Sequence, residues 1–203
     1  MTGPRESALP LPTRREADTK DLRRAFAEFA TGVTVVTVGG SSPRGMTANS
    51  FTSVSMGPPL LLVCVHNDAV MRQALHPARH FGVSVLSAAQ EAVARHFADD
   101  SRPAGLQQFD AVGWSPGATT SVPLIDGALV RFECEKWRAY DGGDHTILVG
   151  AVVGWNRPPM VDAASTGRGT SEDALLYFRG RFQEHGPGAE GPPGEAGAER
   201  GVS

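Results

Sequence analysis

Residues 45–59 have the reach of a β-strand and the wrong chemistry for a core one. They lie between two apolar β-type runs, residues 33–38 and 60–65, and carry Thr47, Asn49, Ser50, Thr52, Ser53 and Ser55. Successive strand residues point to opposite faces. These short hydrogen-bonding side chains fall on both, whereas a core strand is apolar on at least one. Two readings stay open on these residues alone. One is a solvated edge strand followed by a turn. The other is the floor of a ligand site, because small polar side chains let a flat or anionic ligand approach the backbone closely.

At 203 residues the chain matches one domain with tails, and a domain of that size buries enough apolar surface to fold without disulfides. A hydrophobic fraction of 40% with 20% charged residues is that of a globular protein, and no run reaches the length needed to cross a bilayer. A net charge of −3 gives no electrostatic reason to expect nucleic acid or an anionic membrane as partner. The two cysteines, Cys64 and Cys134, sit in apolar strand-like runs without metal-ligand spacing. They read as buried, reduced thiols of a cytoplasmic protein. The N-terminus is rich in Pro and Arg and lacks the apolar segment of a secretory signal.

Residues 1–18, with their prolines and mixed charge, are expected to form a disordered leader. A helix is predicted next, with Thr19 as N-cap, Leu22, Phe26 and Phe29 on one stripe, and Gly32 at its end. A β-branched strand over 33–38 follows directly, then a Gly/Ser/Pro turn and the polar stretch, which Pro58-Pro59 break. Residues 60–65 are short enough for a strand buried on both sides. Asn67 or Asp68 is expected to cap a short helix that stops by His76-Pro77. Residues 80–86 alternate as a strand. Ser87 and Gln90 have capping-box spacing and open a helix with Ala89, Val93 and Phe97 on its apolar face. Residues 99–120 read as loop. Strands are predicted over 128–137 and 146–155, across an Asp141-Gly142-Gly143-Asp144-His145 turn, with Val130, Phe132, Cys134 and Lys136 sharing one face of the first. A Gly/Ser/Pro-containing connection over 158–173 leads to a last strand over 174–178. Residues 184–203, rich in Gly, Pro and Glu, are expected to be disordered, which leaves an ordered domain over 19–183. Strands joined by turns, with three short helices, fit a mainly antiparallel barrel better than a doubly wound fold.

The chemistry is defined as much by what is missing. No G-x-G-x-x-G follows the first strand, and no P-loop, H-E-x-x-H or G-x-S-x-G pattern occurs. No side-chain pair stands out as acid and base, so catalysis would be a cofactor's, with the protein binding and orienting it. The hydroxyls and backbone N–H groups of the polar stretch are suited to a phosphate or the polar edge of a ring system. In Gly142-Gly143-Asp144-His145 the glycines permit close approach, although a plain hairpin turn explains the same residues. Capping accounts for Ser87 and Gln90 without a ligand. Trp114, Trp137 and Trp155 read as packing residues, and Arg179 and Arg181 either as anion ligands or as a solvated rim.

Several segments, taken in order, carry a resemblance. They are Phe29-Ala30-Thr31-Gly32 running into the first strand, residues 45–55, Pro58-Pro59-Leu60, residues 81–87 with Gln90, Gly142-Gly143-Asp144-His145-Thr146, and Leu175-Leu176-Tyr177-Phe178-Arg179-Gly180. Together they resemble the flavin reductase-like family, the reductase components of two-component flavin monooxygenases, over roughly residues 21–182. The resemblance implies a split β-barrel that binds FMN or FAD and forms a homodimer with the flavin near the subunit interface. It implies that NADH or NADPH reduces the flavin, which then leaves for a separate monooxygenase. Carried over, Thr47, Ala48, Asn49, Ser50, Ser53, Val54 and Ser55 contact the flavin, and Ser87 and Gln90 its phosphate end. His145, with Asp144, meets the nicotinamide nucleotide, and Phe182 lies near that same site. A flavin-binding electron-transfer protein, or an oxidase-like relative that retains its flavin, is the alternative on the same barrel.

Overall fold

The computed structural model describes residues 19–157 and 173–183. The expected leader over 1–18, the tail over 184–203 and all but the last residue of the 158–173 connection lie outside the described residues. The first helix, α1 (Thr19–Phe26), is shorter than its apolar stripe predicts and buries none of its side chains. Phe26 and Phe29 stand exposed. Gly32 does not cap this helix. It pairs with Leu176 as part of strand β1 (Thr31–Gly32).

The remaining elements follow as β2 (Thr34–Val38), β3 (Arg44–Ala48), β4 (Thr52–Met56), β5 (Pro59–His66), α2 (Val70–Leu75), β6 (His80–Val85) and α3 (Glu91–Ala98). After these come a small hairpin of β7 (Trp114–Pro116) and β8 (Pro123–Ile125), a long hairpin of β9 (Val130–Gly142) and β10 (His145–Asn156), and a C-terminal hairpin of β11 (Leu176–Phe178) and β12 (Arg181–Gln183).

Seven strands form one antiparallel sheet in the order β3-β2-β6-β9-β10-β5-β4. The polar stretch therefore supplies both edges of this sheet, with only residues 49–51 between them. That connection dictates the shape. In a flat sheet seven strands wide, the two edges would stand about 29 Å apart at ~4.8 Å per strand. The chain from Ala48 to Thr52 spans at most about 14 Å. The sheet must curl until its edges approach, and it does so as a split barrel, with β3 coming against β5 without pairing to it. Ser50 bridges the split. Its hydroxyl accepts a hydrogen bond from the Cys64 N–H at 2.9 Å and donates one to the Cys64 carbonyl at 3.0 Å, just beyond the point where β4 stops pairing with β5 at Leu62.

The curled sheet encloses one core, built from Val36, Val38, Leu61, Val63, Val65, Phe81, Val83, Cys134 and Leu148, with Met71 and Leu75 of α2 packed into it. A second core lies against the other face of β2, where Val33 and Val35 meet Leu86, Ala94, Phe97, Phe109, Ile125 and Leu175. This double covering explains why β2 is buried along its whole length. The run 60–65 is not covered in this way. Leu61, Val63 and Val65 point inward, so alternation turns Leu62 and Cys64 outward, where both are half-buried.

Phe132 and Cys134 face inward together, as the alternation predicts, and Lys136 reaches the Leu75 and His76 carbonyls at 3.1 and 2.7 Å. Neither Asn67 nor Asp68 caps α2; the cap position is Ala69. In α3 the buried side chains are Ala94 and Phe97, while Ala89 is exposed. Trp114 packs on Phe109 at 5.7 Å, but Trp137 and Trp155 are exposed. No helix among the described residues is long and apolar enough to cross a membrane.

Candidate functional site: a cleft at the split of the barrel

A cleft of about 710 Å³ opens where β3 ends. It is lined by Thr47, Ala48 and Asn49, by Arg95 of α3, and by Tyr177, Arg181 and Phe182 of the C-terminal hairpin. Its floor is held from behind. The Gly45 N–H donates to Gln108 Oε1 at 2.8 Å, and the buried Arg102 guanidinium donates to the Gly45 carbonyl. A Cβ on Gly45 would lie 2.4 Å from the Phe97 ring, so the glycine is what allows β3 to lie directly on α3. Thr34 Oγ1 donates to the Ala48 carbonyl at 2.8 Å, and Thr47 Oγ1 to the Ala94 carbonyl at 2.7 Å. The Thr47 hydroxyl is thereby committed to the fold. The exposed Asn49 side chain has no hydrogen bond to any of the described residues and is available to a ligand.

The lining from the C-terminal hairpin is aromatic. Tyr177 and Phe182 meet edge to face at 5.4 Å, and Arg95 lies over the Phe182 ring at 5.0 Å while paired to Glu91 at 2.6 Å. The hairpin is joined to the rest of the fold through β1, where Tyr177 pairs with Thr31. Sequence reasoning did not single out Arg95 or Tyr177 as lining residues. Arg95 had only the signal of an i,i+4 helix pair with Glu91, and Tyr177 lay within an apolar strand.

The Gly142-Gly143-Asp144-His145 turn lies at the same end of β5 as Ser50. Cys64, which Ser50 clips, is two residues from His66, about 6–7 Å along the strand, and His145 sits directly across from His66. The two imidazoles meet edge to face at 5.1 Å. Asp144 Oδ1 lies 2.7 Å from His145 Nδ1. The hydrogen bond from His145, helped by its charge, holds the Asp144 carboxyl below the usual carboxylate range.

Gly143 takes a φ of +80°, and Asn67 fixes the turn. Its amide donates to the Gly143 carbonyl at 3.0 Å and its Oδ1 accepts from Thr146 Oγ1 at 2.8 Å. This use of its side chain explains why Asn67 is not a helix cap. His145 lines its own cavity of about 390 Å³ with Asn67, Arg72, Tyr140, Asp141, Gly143 and Thr146. Phe182 belongs to the larger cleft and does not line this one.

Ser53 and Val54 are exposed and Ser55 is half-buried on β4, the free edge of the sheet, with an irregularity at Val54. Ser87 and Gln90 form the expected capping box, and both are buried. Gln90 Oε1 accepts from the Ser87 N–H at 3.1 Å, and its amide donates to the Asp126 carbonyl at 2.8 Å. Neither residue lines the cleft.

Two thiols and one buried carboxylate lie outside the cleft. Burial, reinforced by the Glu133 charge, pushes the Cys134 thiol up to about 12, and burial also raises Cys64. Desolvation alone would raise the Glu133 carboxyl, but hydrogen bonds from Thr120 and Thr119 outweigh it and hold the group low. What the cleft offers is a recess with small floor residues, an available amide, an aromatic wall and a guanidinium. These are means of binding a flat, anionic molecule, and they fit a flavin.

The flavin reductase like domain family matches residues 26–186. An NADH-dependent FAD reductase of Streptomyces globisporus is 51% identical over 187 residues, covering 91% of this chain and 97% of that protein. The FMN reductase (NADH) SmoA of Agrobacterium fabrum is 42% identical over 137 residues, covering 67% and 75%. The solved structure of an NADH:FAD oxidoreductase of Streptomyces globisporus, in complex with NAD and FAD fragments, matches with a TM-score of 0.75 at 51% identity, over 85% of this chain and 96% of that one. BorF, the flavin reductase component of a bacterial two-component tryptophan halogenase, matches at 0.74 and 51% identity, over 82% and 98%. The chain belongs to the flavin reductase-like domain family.

Proposed function

We propose that this chain is an NADH-dependent flavin reductase that reduces FMN or FAD and supplies the reduced flavin to a separate monooxygenase. The observation that carries the reading is the cleft at the split of the barrel, where Ser50 clips β5 two residues before His66, the partner of His145 in the Gly-Gly-Asp-His turn. It occurs in a chain 51% identical over 91% of its length to an NADH-dependent FAD reductase. Bound together, the two nucleotides supply a direct hydride transfer that needs no protein acid or base.

The chain's own residues bind and orient. The backbone of residues 47–50 and the Asn49 amide present donors and an acceptor to the polar edge of the flavin ring. Tyr177 and Phe182 form an apolar wall that keeps water from that side of the cleft. Asp144 fixes the His145 ring through Nδ1, leaving Nε2 to face the nicotinamide nucleotide. Ser53, Val54 and Ser55, on the open edge, are available to the flavin and to a second subunit. The side chain of Gln90 is engaged in the capping box, so Ser87 and Gln90 act at the phosphate end through the segment they shape.

The functional unit in this reading is a homodimer built on a domain over 19–183. Half-buried Leu62, Cys64 and Ile147 turn outward beside exposed Tyr140, and Val54 and Met56 stand exposed on the sheet edge. Together they leave an apolar surface for a second copy to cover. Free thiols at Cys64 and Cys134 agree with a cytoplasmic location.

The test is to follow nicotinamide oxidation by the purified chain with and without added FMN or FAD. Turnover that depends on added flavin supports the reductase. Tightly held flavin with no nicotinamide oxidation would establish the flavin-retaining alternative instead.

A further inference from the structure

Two arginines stand two positions apart in the C-terminal hairpin, and the structure gives them different surroundings. Arg179, in the turn at a φ of +51°, donates to Glu28 Oε1 at 3.1 Å and to Glu28 Oε2 at 3.0 and 2.7 Å, and lies over Phe178. Its guanidinium ties the hairpin to the chain just after α1. Arg181 opens β12, is exposed, and lines the cleft. It has no hydrogen bond or ion pair to any of the described residues. The other cleft cation, Arg95, is already paired to Glu91 and stacked on Phe182. Among the described residues of the cleft, Arg181 is therefore the cation without a carboxylate.

A guanidinium left unpaired at the rim of a concave, partly aromatic site is suited to a phosphate. It offers several fixed donors that match phosphate oxygens, keeps its charge at any working pH, and forms stronger bonds than a neutral donor could. It lines the same cleft as Asn49 from a different element, so a ligand whose ring edge meets the 47–50 backbone has the hairpin guanidinium within the same recess for its phosphorylated arm. We propose that Arg181 binds the phosphate of the flavin nucleotide and sets the preference of this chain for phosphorylated flavins over riboflavin. The proposal rests on the reading that the cleft at the split holds the flavin.

The experiment titrates the full chain with FMN, FAD and riboflavin, each without nicotinamide, and reads flavin fluorescence for the wild type, Arg181→Gln and Arg179→Gln. The same three proteins are then assayed with NADH. Arg181→Gln is expected to weaken FMN and FAD by about tenfold or more and riboflavin by less than about twofold. Arg179→Gln, which removes the same charge from the same hairpin, is expected to leave the FMN-to-riboflavin ratio unchanged. Equal losses for FMN and riboflavin would overturn the proposal, as would unchanged FMN binding. A loss confined to the NADH KM would move Arg181 to the nicotinamide nucleotide's phosphates and overturn it too. A selective FMN loss of the same size in Arg179→Gln would reduce the effect to a long-range field and reject a specific contact. If the wild type bound no flavin at all, the reductase reading itself would fall, a result distinct from a failure confined to Arg181.

Discussion

Replacing Ser50 with Ala tests whether the split of the barrel is held by the hydroxyl that crosses it. Ser50 Oγ accepts from the Cys64 N–H and donates to the Cys64 carbonyl, at 2.9 and 3.0 Å in a part-buried setting. Each neutral hydrogen bond contributes about 0.5–1.5 kcal/mol net, and partial access of water softens the loss of two. The expected destabilisation is about 1–2 kcal/mol. For a domain of this size that is roughly 2–8 °C in Tm.

A hydroxyl has one hydrogen to donate, and here it is engaged with Cys64. Ser50 therefore has no donor left for a flavin, and affinity should change only as far as the split loosens. Urea and thermal denaturation at one fixed protein concentration, with a parallel flavin titration, separate the two roles. Ser50→Thr, which keeps the hydroxyl, should restore most of the stability. If Ser50→Ala melted with the wild type yet lost flavin, the hydroxyl would belong to the ligand, and the bridging argument would be refuted.

Three further outcomes are expected. Glu133 is buried and accepts from the Thr120 N–H and Oγ1 at 2.6 and 2.7 Å and from the Thr119 N–H at 3.0 Å; Glu133→Gln should cost about 2–3 kcal/mol at neutral pH in urea titrations. Because the folded carboxyl is held below its unfolded value, its stabilisation is present above about pH 4.3 and fades as pH falls through the folded value. The gap between wild type and variant should therefore narrow in acid, and a constant gap would contradict the assignment. His145→Ala should raise the KM for NADH about tenfold while changing flavin affinity less than about twofold; steady-state kinetics with equal losses in both would remove His145 from the nicotinamide site. Gly45→Ala places a Cβ 2.4 Å from the buried Phe97 ring and should cost about 1–3 kcal/mol in a thermal melt, and an unchanged melting temperature would mean that Phe97 moves aside freely.

Much of the fold was legible because its signals are local. The β-branched run before Gly39, the alternation of Phe81, Val83 and Val85, and the shared face of Phe132 and Cys134 each report one residue's neighbours in the chain. Strand burial obeys the same period of two. The Ser87–Gln90 capping box was legible for the same reason, since its partners are three residues apart. The helical stripe Leu22, Phe26 and Phe29 shows the limit of such signals. Its period is amphipathic, but a period does not supply a surface to pack on, and both phenylalanines stand in the open. Asn67 shows the same limit. It has the chemistry of a helix cap, but its amide is held by Gly143 and Thr146 from a hairpin far along the chain.

The stretch over 45–59 marks the division most clearly. Its sequence alone determined that it could not be a core strand, because small hydrogen-bonding side chains fall on both faces. It also left the edge strand and the ligand floor as the two readings. Tertiary structure decided that it is two edge strands, β3 and β4, on opposite sides of one sheet. It also decided that the link between them draws that sheet into a split barrel, and that the cleft opens where β3 ends. The physical reason is that side-chain pattern sets which face is wet over a few residues. Which strands become neighbours, and where the sheet closes on itself, depend on pairings across the whole chain and on the short reach of residues 49–51.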